Sequence, residues 1–82
     1  MTAIEKLKSA FVTALEISEQ EVNDSLSYSE HPAWDSTAHM ILIAQLEADF
    51  DVMIDIDDII DMSSFNQAKA TLLKYDENLS FE

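Results

Sequence analysis

The run Asp35-Ser36-Thr37-Ala38-His39-Met40-Ile41-Leu42-Ile43-Ala44-Gln45-Leu46-Glu47-Ala48-Asp49-Phe50 contains neither glycine nor proline. Wound at about 100° per residue, it places Leu42, Ile43, Leu46 and Phe50 on one side, with Met40 at the margin. That side is expected to face a core, in a helix from about residue 36 to 50. The opposite side carries Thr37, Ile41, Ala44, Gln45 and Ala48. An exposed face would ordinarily hold lysine and glutamate, whereas this one is nearly uncharged. One reading makes Ile41 a solitary exposed apolar residue, which is common. The other makes the strip a shallow contact surface rimmed by Asp35, Glu47 and Asp49.

On the N-terminal side, Pro32 biases His31 away from helical geometry, so the helix is expected to start only after it. Residues 17–35 show no regular period and read as a long ordered loop anchored by Val22, Leu26, Tyr28 and Trp34. Before that loop, Thr2-Ala3-Ile4-Glu5 has the capping-box pattern, and Ile4, Leu7, Phe11 and Leu15 repeat at helical steps. These residues predict a helix over about 3–16.

On the C-terminal side, a short helix fits residues 55–61, with Ile56, Ile59 and Ile60 as its apolar side. Ser64-Phe65-Asn66-Gln67 opens a last helix to about residue 75 through Phe65, Ala68, Leu72 and Leu73. The expected fold is all-α: a small bundle of three longer helices and one short one. It forms one domain over residues 1–75, followed by a polar tail, 76–82, that is expected to fray, with Leu79 and Phe81 as weak docking points at most. Glycine is absent and Pro32 is the only proline, which disfavours strands joined by tight turns.

The 82 residues carry a net charge of −13, with 17 acids against four lysines. No positive charge occurs between Lys8 and Lys69, while acids cluster at positions 47, 49, 51, 55, 57, 58 and 61. Such a field repels nucleic acid and anionic membrane and favours basic protein partners. Hydrophobic residues make up 48% of the chain, which argues for a folded domain over a disordered tail. The absence of cysteine excludes disulfides, thiolate metal sites and cysteine nucleophiles. No signal-peptide pattern or membrane-length apolar run is present, so a cytoplasmic monomer is expected.

Some chemical readings fail on spacing. An EF-hand loop opening at Asp49 would need an oxygen ligand and then glycine where Met53 and Ile54 stand. His31 and His39 are too few for a typical zinc site without cysteine. Asp35 adjoins Ser36 and cannot orient His39 as a catalytic triad requires. His39 reads as a boundary histidine bonded to loop backbone, and the chain is not expected to be an enzyme. Ser36, at a helix start beside Asp35, has two readings. It is a plain cap, or it bears a phosphate ester placed where helix N–H groups and dipole favour an anion.

From Ile4 to about Tyr75 the sequence resembles the acyl carrier protein family. The likeness centres on Asp35-Ser36-Thr37, then Met40, Leu42, Ile43 and the ending Leu46-Glu47-Ala48-Asp49-Phe50. The resemblance implies that a phosphopantetheinyl transferase esterifies the Ser36 oxygen with phosphopantetheine from coenzyme A. The arm's thiol would then hold acyl groups as thioesters. It further implies that Asp35, Thr37, Ile41, Ala44 and Glu47 meet partner enzymes with basic surfaces. Three positions depart from the family pattern: Thr37 stands for leucine, Ile41 for an acid, and Ala33-Trp34 for Gly-x. They point to a stand-alone carrier in a specialised pathway (polyketide, peptide or lipid-like). Alternatives are an aminoacyl or peptidyl carrier, and an acidic helical adaptor without a prosthetic group. On the same reading Tyr28 and Trp34 pack the loop onto the core.

Overall fold

A computed structural model describes residues 2–79 and 81. Four helices occur among them: α1 (Ala3–Leu15), α2 (Ser36–Phe50), α3 (Ile56–Asp61) and α4 (Phe65–Tyr75). The expected all-α bundle is what forms, with a single 3-10 turn (Glu19–Glu21) in the long loop. Each longer helix starts on the residue its pattern marks. The Thr2 hydroxyl accepts from the Glu5 N–H, Asp35 accepts from Ala38, and Ser64 accepts from Gln67. Each bond satisfies one of the N–H groups a helix start leaves open.

The core is built from one stripe on each of the three longer helices. Leu7, Phe11 and Leu15 of α1 meet Leu42, Leu46 and Phe50 of α2 and Phe65, Ala68 and Leu72 of α4. Phe11 stands edge-on to Trp34 at 5.3 Å and to Phe65 at 5.2 Å, an arrangement that adds roughly 0.5–1.5 kcal/mol per pair beyond area burial. The loop is pinned by buried Val22, Leu26 and Trp34. It is also stitched to the α3–α4 junction by backbone bonds from Tyr28 N–H to Ser63 and from Phe65 N–H to Leu26. In the tail, Leu79 and Phe81 are partly buried against the core, and Phe81 lies edge-on to Phe50 at 6.2 Å.

Without glycine, left-handed backbone falls to Glu16, Ser29 and Asp51, two of which terminate α1 and α2. The C-terminal end of α2 has no basic residue of its own. Lys6 of α1 supplies one, donating to the Asp49 carbonyl at 3.1 Å and lying over the Phe50 ring.

The apolar side assigned to α3 is corrected. Ile56 and Ile60 are 72% and 73% exposed, and only Ile59 is partly buried. The helix is instead anchored at its two ends, by buried Ile54 before it and buried Met62 after it. With so few turns between those anchors, the side chains at 56 and 60 share the outward face. Met40, placed at the core margin, is likewise 57% exposed.

Polar bonds do the rest of the work of holding α3. Tyr75 accepts from the Asp55 N–H and donates to Asp58, and Lys74 donates to the same carboxylate. The Lys74 ammonium, then the Tyr75 hydroxyl, hold the Asp58 carboxyl below its ordinary value of 3.8. The same contact raises the Tyr75 phenol. A depressed carboxylate contributes stability above its unfolded value and loses it as pH falls through the lowered folded one. The melting-temperature gap between wild type and Asp58→Asn is therefore expected to stay constant from neutral pH down to about 5 and to shrink below about 4. A gap that widens on acidification would contradict this tether.

Candidate functional site

The approach to α2 is a folded turn. Trp34 N–H bonds to the His31 carbonyl, and Ser29 N–H to the Trp34 carbonyl. His31 Nδ1 accepts from the Ala33 N–H at 3.1 Å, so its Nε2–H is the donor to Glu21, also at 3.1 Å. The Ser18 N–H, and then His31, keep the Glu21 carboxyl below its usual range. This turn delivers Asp35 in extended geometry, from which its carboxylate reaches the Ala38 N–H at 2.9 Å. Asp35 is the cap. Ser36 is the first residue of the helix proper and is exposed, so capping does not occupy its hydroxyl.

Beside Ser36 a shallow groove of about 320 Å³ runs between α2 and α3. It is lined by Tyr28, Ser36, His39, Met40, Ile59, Ile60 and Met62. Tyr28 does not pack fully onto the core as expected. It is 37% exposed and leans edge-on against Trp34 and His39, forming one wall of the groove. Trp34, by contrast, is wholly buried.

His39 is bonded at both ring nitrogens. Nδ1 accepts from the Trp34 indole N–H at 3.0 Å, which makes Nε2–H the donor to the Ile59 carbonyl at 2.7 Å. The expected backbone bond is present, with α3 as its acceptor rather than the long loop. With neither nitrogen free, this imidazole cannot take a proton from Ser36 as a general base does.

Of the expected contact residues, Asp35, Thr37, Ile41 and Ala44 are all exposed, Ile41 at 52%. Glu47 is different. It is half-buried and its Oε2 accepts from the Ile54 N–H at 3.0 Å, so it belongs to the frame of the α2–α3 link. Asp35, Asp51, Asp55, Asp57 and Asp61, on α2, α3 and the segments flanking them, are all exposed. Asp49, expected on the rim, is half-buried and accepts from the Gln45 amide.

Comparison with family models, with curated proteins and with solved structures finds no match. Among the described residues no three His, Asp or Glu side chains converge on a metal position, and no helix is long and apolar enough to cross a membrane.

Sequence reasoning missed the apolar residues that α3 and its link add to the surface: Met53, Ile56 and Ile60. With Met40 and Ile41 they leave five large apolar side chains exposed on α2, α3 and the link between them. The four lysines lie on α1 and α4, where Lys6, Lys69 and Lys74 are engaged with Asp49, Asp24 and Asp58. A signal for this existed in the spacing of Ile56 and Ile60, which share one face whichever way it turns. The direction of that face was not in the spacing.

Proposed function

We propose that this chain is an acyl carrier, bearing phosphopantetheine as a phosphodiester on Ser36 and docking on basic enzyme surfaces through α2 and α3. The observation that carries the reading is the division of labour at the start of α2. Asp35 takes the cap, and Ser36 is left as an exposed hydroxyl on a helix tip. In the loading step the Ser36 oxygen would bond to phosphorus and displace the nucleotide half of coenzyme A. Its proton would pass to a base of the transferase, because His39 is already engaged. The arm would supply a terminal thiol that holds acyl groups as thioesters.

The residues present fit such an arm. The helix N-terminus favours an anion, and the adjoining groove offers apolar surface to whatever lies along it. Partner choice then falls to Ile41, Met40, Ile56 and Ile60 and to the exposed carboxylates of the same elements. Complementary charge of this kind speeds encounter more than it prolongs residence, which suits a protein that visits several enzymes in turn.

Incubation of the purified protein with coenzyme A and a broad-specificity phosphopantetheinyl transferase tests the reading. Intact mass is expected to rise by one phosphopantetheine increment. An unchanged mass with several transferases would sink it.

A further inference from the structure

The groove beside Ser36 ends on a floor that is tied together. His39, which lines the groove, lies stacked on Trp34 at 5.9 Å and 27°. Trp34 is wholly buried and takes no part in the lining. Behind it stands Phe11, edge-on, and behind Phe11 stands Phe65, so ring backs ring from the groove floor across the bundle. Met62, also in the lining, is 1% exposed.

The floor is also braced. Through His39, the indole of the loop and the Ile59 carbonyl of α3 are held on one side chain. Swinging that ring aside would strip the buried indole N–H and the partly buried Ile59 carbonyl of their partners at once, which is costly in a well-packed interior. Outside the brace, the groove of about 320 Å³ sits at the lower end of ligand-pocket sizes.

We propose that the Trp34–His39–Ile59 brace shuts the bundle interior to anything attached at Ser36. The cargo is accordingly a short acyl group resting in the outer groove, and not a long alkyl chain drawn into the core. This deepens the carrier reading and rests on Ser36 as the attachment point. His39 is the positioning residue, since its two ring bonds hold α3 and the loop together at the groove.

The test places the chain chemically. The sequence has no cysteine and a single tryptophan. Ser36→Cys therefore offers one thiol, to be capped with butyl or octyl methanethiosulfonate, and Trp34 reports on the floor. Four further methylenes drawn into a core would raise the melting temperature by roughly 10 °C or more. The two adducts are expected to melt within about half that interval of each other and to leave Trp34 emission alike. An octyl adduct melting higher than that margin overturns the proposal.

In the His39→Ala background, the octyl adduct is expected to gain stability over the butyl one as the floor opens. A folded His39→Ala protein without that gain removes His39 from the role. Should this variant not fold, the comparison in Ser36→Cys alone still decides. The alkyl groups need no transferase, so failure here is separate from failure of the carrier reading, which an unchanged mass of the wild-type protein reports.

Discussion

Trp34→Ala is expected to cost about 3–5 kcal/mol of folding free energy, the range for deleting a buried aromatic ring. Trp34 has 0% exposure and touches the core on several sides: edge-on to Phe11, stacked on His39, and flanked by Tyr28. Its loss opens a cavity and also leaves the Nδ1 of His39 without its donor. A chain of 82 residues has only about 5–15 kcal/mol to lose. The variant should therefore unfold at a small fraction of the urea concentration wild type withstands. Trp34→Phe separates the two contributions, because it retains most of the packing and removes the indole N–H. It is expected to cost about 1–3 kcal/mol, the price of a buried acceptor left unpaired. Urea titrations followed by helical circular dichroism measure both. A loss below about 1 kcal/mol for Trp34→Ala would mean that the loop is not seated on this ring.

Ser36→Ala is expected to do the reverse: abolish modification by coenzyme A and transferase while leaving stability within about 0.5 kcal/mol of wild type, as befits an exposed position outside the cap. Asp35 holds the Ala38 N–H, and Ser36 is exposed. A fall of about 1 kcal/mol or more would be the signature of a lost cap and would reassign the serine to structure. The same variant separates the carrier from an acidic adaptor that uses only the α2–α3 face. An adaptor would keep full partner activity with alanine at 36, whereas a carrier would lose turnover altogether. Intact mass, thermal melting and partner turnover on one preparation distinguish these outcomes.

Much of this architecture was legible in the chain. The helix expected at 3–16 is Ala3–Leu15, and the one expected at 36–50 is Ser36–Phe50. Helix periodicity and capping act within one or two turns, so neighbouring residues suffice to write them. His39 was legible as a backbone-bonded boundary residue because it sits beside the core stripe of α2. Its indole partner was not, since a loop without period gives no register for Trp34. Tyr28 and Met40 were misjudged for a related reason. Each lies at the edge of its element, where the neighbour brought up by the fold decides between solvent, groove and core.

By itself the sequence determined the helices, their caps, the inward stripe Leu42-Ile43-Leu46-Phe50, the acidic field and the serine at a helix start. Only the tertiary structure decided that Asp35 rather than Ser36 does the capping, that Ile56 and Ile60 face outward, and that an imidazole closes the floor beside the serine. The physical reason is range. A stripe or a cap is set by residues a turn apart. The rotation of α3 is set by Ile54 and Met62 anchoring its ends, by Tyr75 and Lys74 gripping Asp58, and by His39 of α2 holding the Ile59 carbonyl, contacts between residues far apart in the chain.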